Sequence, residues 1–346
     1  MKKGLKLSIV FALILAGIVA CRKDDFPRER HRICFGVSPL VETKGRDTLS
    51  LSTLDSMAVY ATYCSDAFGD ESEIGNYFWN VKASRPPGGK IFNTEGEYYW
   101  PVSGKLSFFA IAPYDAEAVC DKEAKGSMRL TVTPSSDISS QKDICYATPV
   151  LDQPLLDDPV KFSFHHCMTC IIFKASYSDP SGVIENKYAV RVDSLILSGI
   201  KGSRELTVKK NGYAEWSDKE PAPEEVSYIL TRSGNLLSDK PIVKSPGESI
   251  ISTLNGQLYL IPQESEGAKM TIVYSFVAMD GAREETVSSF RVETDISVSW
   301  EASEFVYYKI SIDLGGLTEI TVSAESGKWI DDWNQTGLDP DNYTIE

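Results

Sequence analysis

The sequence predicts an all-β protein, two β-sandwich domains in tandem, and three observations carry that reading. Short runs of alternating apolar and polar residues recur at regular spacing along nearly the whole chain. Almost no stretch shows the 3.6-residue apolar period of an amphipathic helix. Clusters of Pro, Gly, Ser and Asp separate the runs, as in Arg85-Pro86-Pro87-Gly88-Gly89. With 42% hydrophobic and 24% charged residues the composition is globular. The about 326 residues that follow the first 20 exceed one ordinary hydrophobic core, so two domains are the natural expectation.

The chain opens on Lys2, Lys3 and Lys6, then an apolar run from Leu7 to Ile18 broken only by Ser8 and Gly17. Such a run is too short for a stable bilayer-spanning helix, which needs roughly 20 residues. A charged start, a short apolar middle and a small residue before the cut describe a secretory signal over residues 1–20. Ile18-Val19-Ala20-Cys21 resembles a bacterial lipoprotein box, which implies cleavage between Ala20 and Cys21 by a lipoprotein signal peptidase and a lipid on Cys21. Arg22-Lys23-Asp24-Asp25 resembles the short basic and acidic signals that send lipoproteins to the cell surface in some anaerobes. The expected address is the outer membrane, lipid-anchored and surface-exposed, with residues 21–32 as a linker.

Loss of residues 1–20 removes three lysines and no acids, taking the formal charge from -14 to -17. A surface this acidic repels phosphate backbones, which excludes nucleic acid as a natural partner. Of seven cysteines, Cys34, Cys64, Cys120, Cys145, Cys167 and Cys170 remain beyond the anchor. In a chain this long an even count is weak ground for a disulfide framework, and the expectation is mostly buried free thiols, with pairing unreadable from sequence.

Taken in order, Ile33, Phe35 and Val37 alternate with Cys34, Gly36 and Ser38 as a half-buried strand. Met57, Val59, Ala61 and Tyr63 alternate next. Tyr98-Tyr99-Trp100-Pro101 leads into Lys105–Pro113, apolar on both faces and therefore central. Met128–Thr133 and Asp143–Ala147 follow. Leu151–Pro159 is polar with two prolines and places a domain boundary there, dividing the chain into 33–155 and 156–346. The second half reads as strands over Lys161–Tyr177, Ala189–Ile200, Arg204–Lys209, Gln257–Ile261, Lys269–Ala278, Glu284–Glu293, Phe305–Leu314 and Glu319–Ala324, with loops at Ser217–Pro223 and Ser233–Glu248.

Enzyme signatures are missing from the sequence: no G-x-S-x-G elbow, no H-E-x-x-H, no phosphate-binding G-x-x-x-x-G-K-[ST] loop. The run His165-His166-Cys167-Met168-Thr169-Cys170 carries residue types that zinc favours. Alternation along one continuous strand would send Cys167 and Cys170 to opposite faces, leaving at most His166 with Cys170 or His165 with Cys167. Core packing is the reading for this run, and no metal or cofactor is expected. Trp79, Trp216, Trp300, Trp329 and Trp333 are candidates for glycan stacking, each weighed against an ordinary core role.

Several stretches resemble one family in the expected order. They are Tyr99-Trp100-Pro101 with Leu106–Ala110 and Ala112-Pro113, Asp143-Ile144 with Tyr146-Ala147, Val160–Phe164 with His166, then Tyr308–Ile312, Ile320–Val322, Trp329 and Trp333. With the lipoprotein box, this set resembles the fimbrillin-like, or Mfa-like, group of lipoprotein-derived pilins. The resemblance implies two transthyretin-like sandwiches, no catalysis, and assembly with other fimbrial subunits by strand addition, with a host or bacterial surface ligand as a further partner. It implies that an arginine-specific protease cuts behind the first strand, which leaves and is replaced by a neighbour's strand. The removable strand is then Ile33–Ser38, with Ile33, Phe35 and Val37 as pocket fillers, and the cut falls after Arg46 in the polar loop 42–47. Beyond Trp333, Gly337 and Pro340 interrupt any donor strand, which favours a tip or accessory subunit over a stalk subunit. The rival from another class is a monomeric, surface-anchored glycan-binding lipoprotein.

Overall fold

The computed structural model describes residues 31–38, 54–114, 117–182, 184, 188–218, 224–280, 283–296, 298–315 and 319–328. Their regular secondary structure is almost entirely β, as the alternating pattern predicts. In the first part of the chain lie β1 (Cys34–Val37), β2 (Ser56–Cys64), β3 (Phe78–Ser84), β4 (Phe92–Thr94), β5 (Lys105–Ala112), β6 (Ala118–Cys120) and β7 (Ser127–Val132). Then come β8 (Cys145–Ala147), β9 (Val150–Gln153), β10 (Val160–Phe162) and β11 (Phe164–His166). The remainder holds β12 (Thr169–Ser178), β13 (Tyr188–Lys201), β14 (Arg204–Lys209), β15 (Ala214–Ser217), β16 (Glu225–Thr231), β17 (Val243–Lys244), β18 (Ser249–Ile250) and β19 (Leu258–Leu260). Four longer strands close it: β20 (Lys269–Asp280), β21 (Arg283–Asp295), β22 (Glu304–Asp313) and β23 (Glu319–Lys328).

The first sheet runs β10-β1-β4-β3-β2-β5-β8-β11, with β9 also on β5. Its two ends, β10 and β11, are separated in sequence by Ser163 alone, so the sheet curls back on itself and one short segment spans both margins. The curl encloses a core of Ile33, Phe35, Met57, Val59, Ala61, Phe92, Trp100, Leu106, Phe108 and Phe162, among others. On β2 and β5 the intervening residues Ala58, Tyr60, Phe109 and Ile111 face a second core. Strand period 2 therefore buries both faces of β5, as its sequence predicts.

The second core is roofed by the four-stranded sheet β15-β14-β7-β6, through Cys120, Met128, Leu130, Val132, Leu206 and Val208. It continues onto Cys170 and Ile172 of β12, while Ile171, Phe173 and Ala175 of the same strand turn into a third core. That third core lies between the β12 sheet, ordered β17-β12-β22-β23 with β18 and β19 on β12, and the sheet β16-β13-β20-β21. Sheets and apolar layers thus alternate through the molecule.

Pairing does not change partner at the expected boundary of 155/156. β10 and β11 belong to the first sheet, and β14 joins β7, so the segments 160–166 and 204–209 pair with strands from before residue 155. The single strand read over Lys161–Tyr177 is three strands, broken at Ser163 and at Cys167-Met168. At the second break Ser303 donates its hydroxyl to the His166 carbonyl at 2.6 Å and its amide to the Met168 carbonyl at 3.0 Å. The break resets the alternation: Cys167 and Cys170 enter the same core layer, contrary to the two-face reading of a continuous strand. None of Cys34, Cys64, Cys120, Cys145, Cys167 and Cys170 is in a disulfide, and the last four are buried.

Candidate functional site: the seat of the first strand

β1 is four residues long and lies between two strands that are shorter still. It runs antiparallel to β4, with Cys34 opposite Asn93 and Phe35 opposite Phe92. It runs parallel to β10, with Phe35 opposite Val160 and Val37 opposite Phe162. Backbone bonds extend the seam at both ends: the Trp100 amide donates to the His31 carbonyl at 2.9 Å, the Ile33 amide to the Tyr98 carbonyl at 2.8 Å, and the Ser38 amide to the Phe162 carbonyl at 2.8 Å. The Arg32 guanidinium, on the outer face, donates to the carbonyls of Thr94 and Gly96 at 3.4 and 3.2 Å.

Alternation sends Ile33 and Phe35 inward, where neither retains exposed surface. The Phe35 ring stacks on Phe162 at 5.4 Å and meets the edge of Phe108 at 5.5 Å. Val37 packs half-buried at the margin of the same core. Each fully buried Ile or Phe is worth about 1.5–3 kcal/mol of apolar transfer. The three residues assigned as pocket fillers thus share one core, two at its centre and one at its rim. Of the seat, β4 escaped the sequence reading, and β10 was read only as the start of the strand over Lys161–Tyr177. Cys21 and Arg46 lie outside the described residues, as do Trp329, Trp333 and the tail after Lys328.

A second constellation sits at the opposite margin of the same sheet. β8 and β11 are antiparallel with Cys145 opposite His166, and Asp143 is two residues before Cys145. His166 Nδ1 is 2.8 Å from Asp143 Oδ2 and 3.3 Å from Cys145 Sγ. Burial pushes the Cys145 thiol well above its ordinary range, and the Asp143 charge adds to the effect. A nucleophilic triad needs the thiol and the carboxylate on different imidazole nitrogens and a thiol that ionises readily. Here both contacts fall on Nδ1 and the thiol resists ionisation, so the arrangement is not a nucleophile. His165, on the other face, is exposed, bonds the Thr148 hydroxyl at 2.8 Å and lies 5.3 Å from the Tyr146 ring. Cys167, expected to be at most His165's partner, donates its thiol to the Ile144 carbonyl at 3.0 Å. Asp143 and Cys145 went unnoticed because only the β8–β11 register brings them to His166.

Among the described residues the candidate tryptophans form no shared platform. Trp300 is buried and donates its indole N–H to Tyr308 at 3.0 Å, while Trp79 is half-buried with its ring edge-on to Tyr60 at 4.9 Å. Trp216 is half-buried against the second core.

The fimbrillin-like family model matches residues 48–329, and no curated protein matches. Among solved structures, the chain is similar to a fimbrial protein from Bacteroides vulgatus, with TM-score 0.67 at 18% identity over 86% of this chain and 99% of that one. A protein ascribed to cell adhesion from Bacteroides uniformis aligns with TM-score 0.49 at 17% identity, over 86% of this chain and 98% of that one. At these identities the likeness concerns fold alone. The family match spans most of the sequence, from before β2 to the end of β23, and by it the chain belongs to the fimbrillin-like family.

Proposed function

We propose that the chain is the lipidated precursor of a fimbrial subunit, matured by release of its first strand and assembled by strand addition. The observation that supports this reading is the seat of β1, held by short seams on both sides and by two buried side chains. Departure of residues 33–38 would leave the facing edges of β4 and β10 with unmatched N–H and C=O groups above a floor containing Phe108 and Phe162. An incoming strand of the same alternation would restore both the bonds and the buried surface, so exchange costs little net free energy once the original strand is cut free.

In this scheme signal peptidase exposes Cys21, which carries the lipid and anchors the precursor at the outer membrane. An arginine-specific protease then cuts after Arg46, leaving the strand on the anchor side of the cut. The donor strand comes from another fimbrial subunit. Gly337 and Pro340 make the chain's own tail a poor donor, which favours a tip or accessory position.

The test uses soluble protein carrying Cys21→Ser, digested with an arginine-specific protease and followed by intact mass and electron microscopy. Loss of the segment ending at Arg46 without self-assembly, followed by capture of a donor strand from another subunit, is the expected result. Filaments formed by the cleaved chain alone would make it a stalk subunit. Resistance at Arg46 with a monomer throughout would overturn strand exchange and leave the anchored glycan binder.

A further inference from the structure

We propose that Asp143, Cys145 and His166 form a binding site for one divalent transition metal ion of the zinc class. The proposal is independent of strand exchange and rests on how three side chains converge. Asp143 lies two residues before Cys145, which opens β8, and the β8–β11 register sets His166 directly across from Cys145. Asp143 Oδ2, Cys145 Sγ and His166 Nδ1 all lie within 4.8 Å of one another. The Asp143 and His166 side chains retain only 2% and 9% of their exposure.

The cluster aims three electron-pair donors at one another. His166 Nδ1 stands 2.8 Å from a carboxylate oxygen and 3.3 Å from a sulfur. A metal ion takes an electron pair from all three at once. At the two separations from Nδ1, zinc bonds of about 2.0–2.3 Å would subtend angles of about 90–100°, and opening each by about 0.3–0.5 Å reaches tetrahedral values. Carboxylate, thiolate and imidazole are a donor set suited to zinc rather than to calcium or magnesium.

On binding, the Cys145 S–H bond breaks, its proton passes to solvent, and the sulfur pair forms the metal bond. His166 binds through Nδ1 with its proton on Nε2. Among the described residues no fourth Cys, His, Asp or Glu joins the group, which leaves one position for water. The ion would bridge β8 to β11, closing the margin of the first sheet that lies farthest, strand by strand, from β1 and β10.

The test loads the reduced, metal-free full-length chain with cobalt(II) as a spectroscopic substitute for zinc. One equivalent per chain with a thiolate-to-cobalt charge-transfer band and intense four-coordinate visible bands is expected. Cys145→Ser should abolish the charge-transfer band and Asp143→Asn should weaken binding at least tenfold, each in protein checked as folded by circular dichroism. Cys64→Ser, whose sulfur lies 3.7 Å from the Ser72 hydroxyl on another loop, should leave both unchanged. Should a variant fail to fold, melting of the unmodified chain decides: zinc should raise the transition temperature and equimolar magnesium should not. Absence of a sulfur band, its survival in folded Cys145→Ser, or a melting response shared by magnesium would each overturn the site.

Discussion

β1 and β12 are both interior strands with neighbours on either side, yet they are held in different ways. β1 offers three residues to β10 and two to β4, and buries the side chains of one face. β12 pairs all ten of its residues with β22, carries β17, β18 and β19 along its other edge, and sends alternate side chains into two cores. Under the proposed exchange, backbone pairing on two sides is not what makes a strand permanent. Length of register and burial of both faces do that, because every residue must then give up its bonds and its apolar contacts together. A strand with a short register and one inward face can be lifted out while the layers beneath it stay closed, which is the mechanical requirement for exchange.

The largest effect should come from cutting into β12. Phe173 is fully buried, stacked 5.9 Å from Tyr308 on β22. Phe173→Ala removes a ring from the third core, and comparable truncations cost about 3–5 kcal/mol. The loss should appear as a lower midpoint of global unfolding in urea. A midpoint within error of the unmodified protein would mean that β12 is no more integral than β1.

The same truncation on β1 should register differently. Phe35→Ala removes an equally buried ring, with a similar local cost of about 3–5 kcal/mol. Its effect on global stability is capped by the free energy that holds β1 in its seat, because beyond that point the chain simply populates the open form. Hydrogen exchange should speed by about 100-fold or more at amides 34–37 and at their partners on β4 and β10, with β12 unchanged. Equal acceleration in β12 would make the first sheet and the strand a single cooperative unit and remove the contrast.

Part of this contrast was legible in the sequence. Ile33, Phe35 and Val37 mark a strand by alternation alone, and Lys105–Pro113 declares itself central because both of its faces are apolar. The seat was legible only in part: β4 has three residues, which define no period, and β10 was merged into the longer strand read over Lys161–Tyr177. Not legible were the breaks at Ser163 and Cys167-Met168, where no Gly or Pro punctuates an apolar run and Ser303, far along the chain, caps the interruption. The Asp143–Cys145–His166 cluster fails for a related reason. Its i, i+2 half is readable, but the partner 21 residues from Cys145 arrives only through strand register.

A smaller change of opposite sign probes β1 from the backbone. Gly36 has no left-handed strain, and a Cβ there would meet Lys161 and Pro159 carbons at 3.7 and 3.8 Å, ordinary contact distances. Gly36→Ala should therefore restrict the unseated chain more than the seated one, tightening β1 by about 0.4–1 kcal/mol. Strand release after protease cleavage should slow by about two- to fivefold. Faster release would show that the seat demands glycine at this position for reasons other than space.

The smallest effect lies where the chain passes from one sheet to the other. β13 ends at Lys201 in the sheet of the third core, and β14 begins at Arg204 in the sheet that roofs the second. Asp218 fastens this crossing, accepting from Lys201 Nζ and from Arg204 Nε at 2.7 Å each. The Lys201 bond and the Arg204 charge hold the Asp218 carboxyl below its ordinary value of 3.8. A carboxyl lowered on folding contributes stability above its unfolded value and loses it as pH falls through the folded one. The side chain is 46% exposed, so solvent screening limits the contribution to about 0.2–1 kcal/mol. Asp218→Asn should lower the urea midpoint slightly at pH 7, and the difference should shrink as the pH falls below 3.8. A difference that persists in acid would locate the effect in packing of the β14–β15 hairpin rather than in charge. The crossing would then resemble β12, fixed by burial, rather than β1, held by a short register.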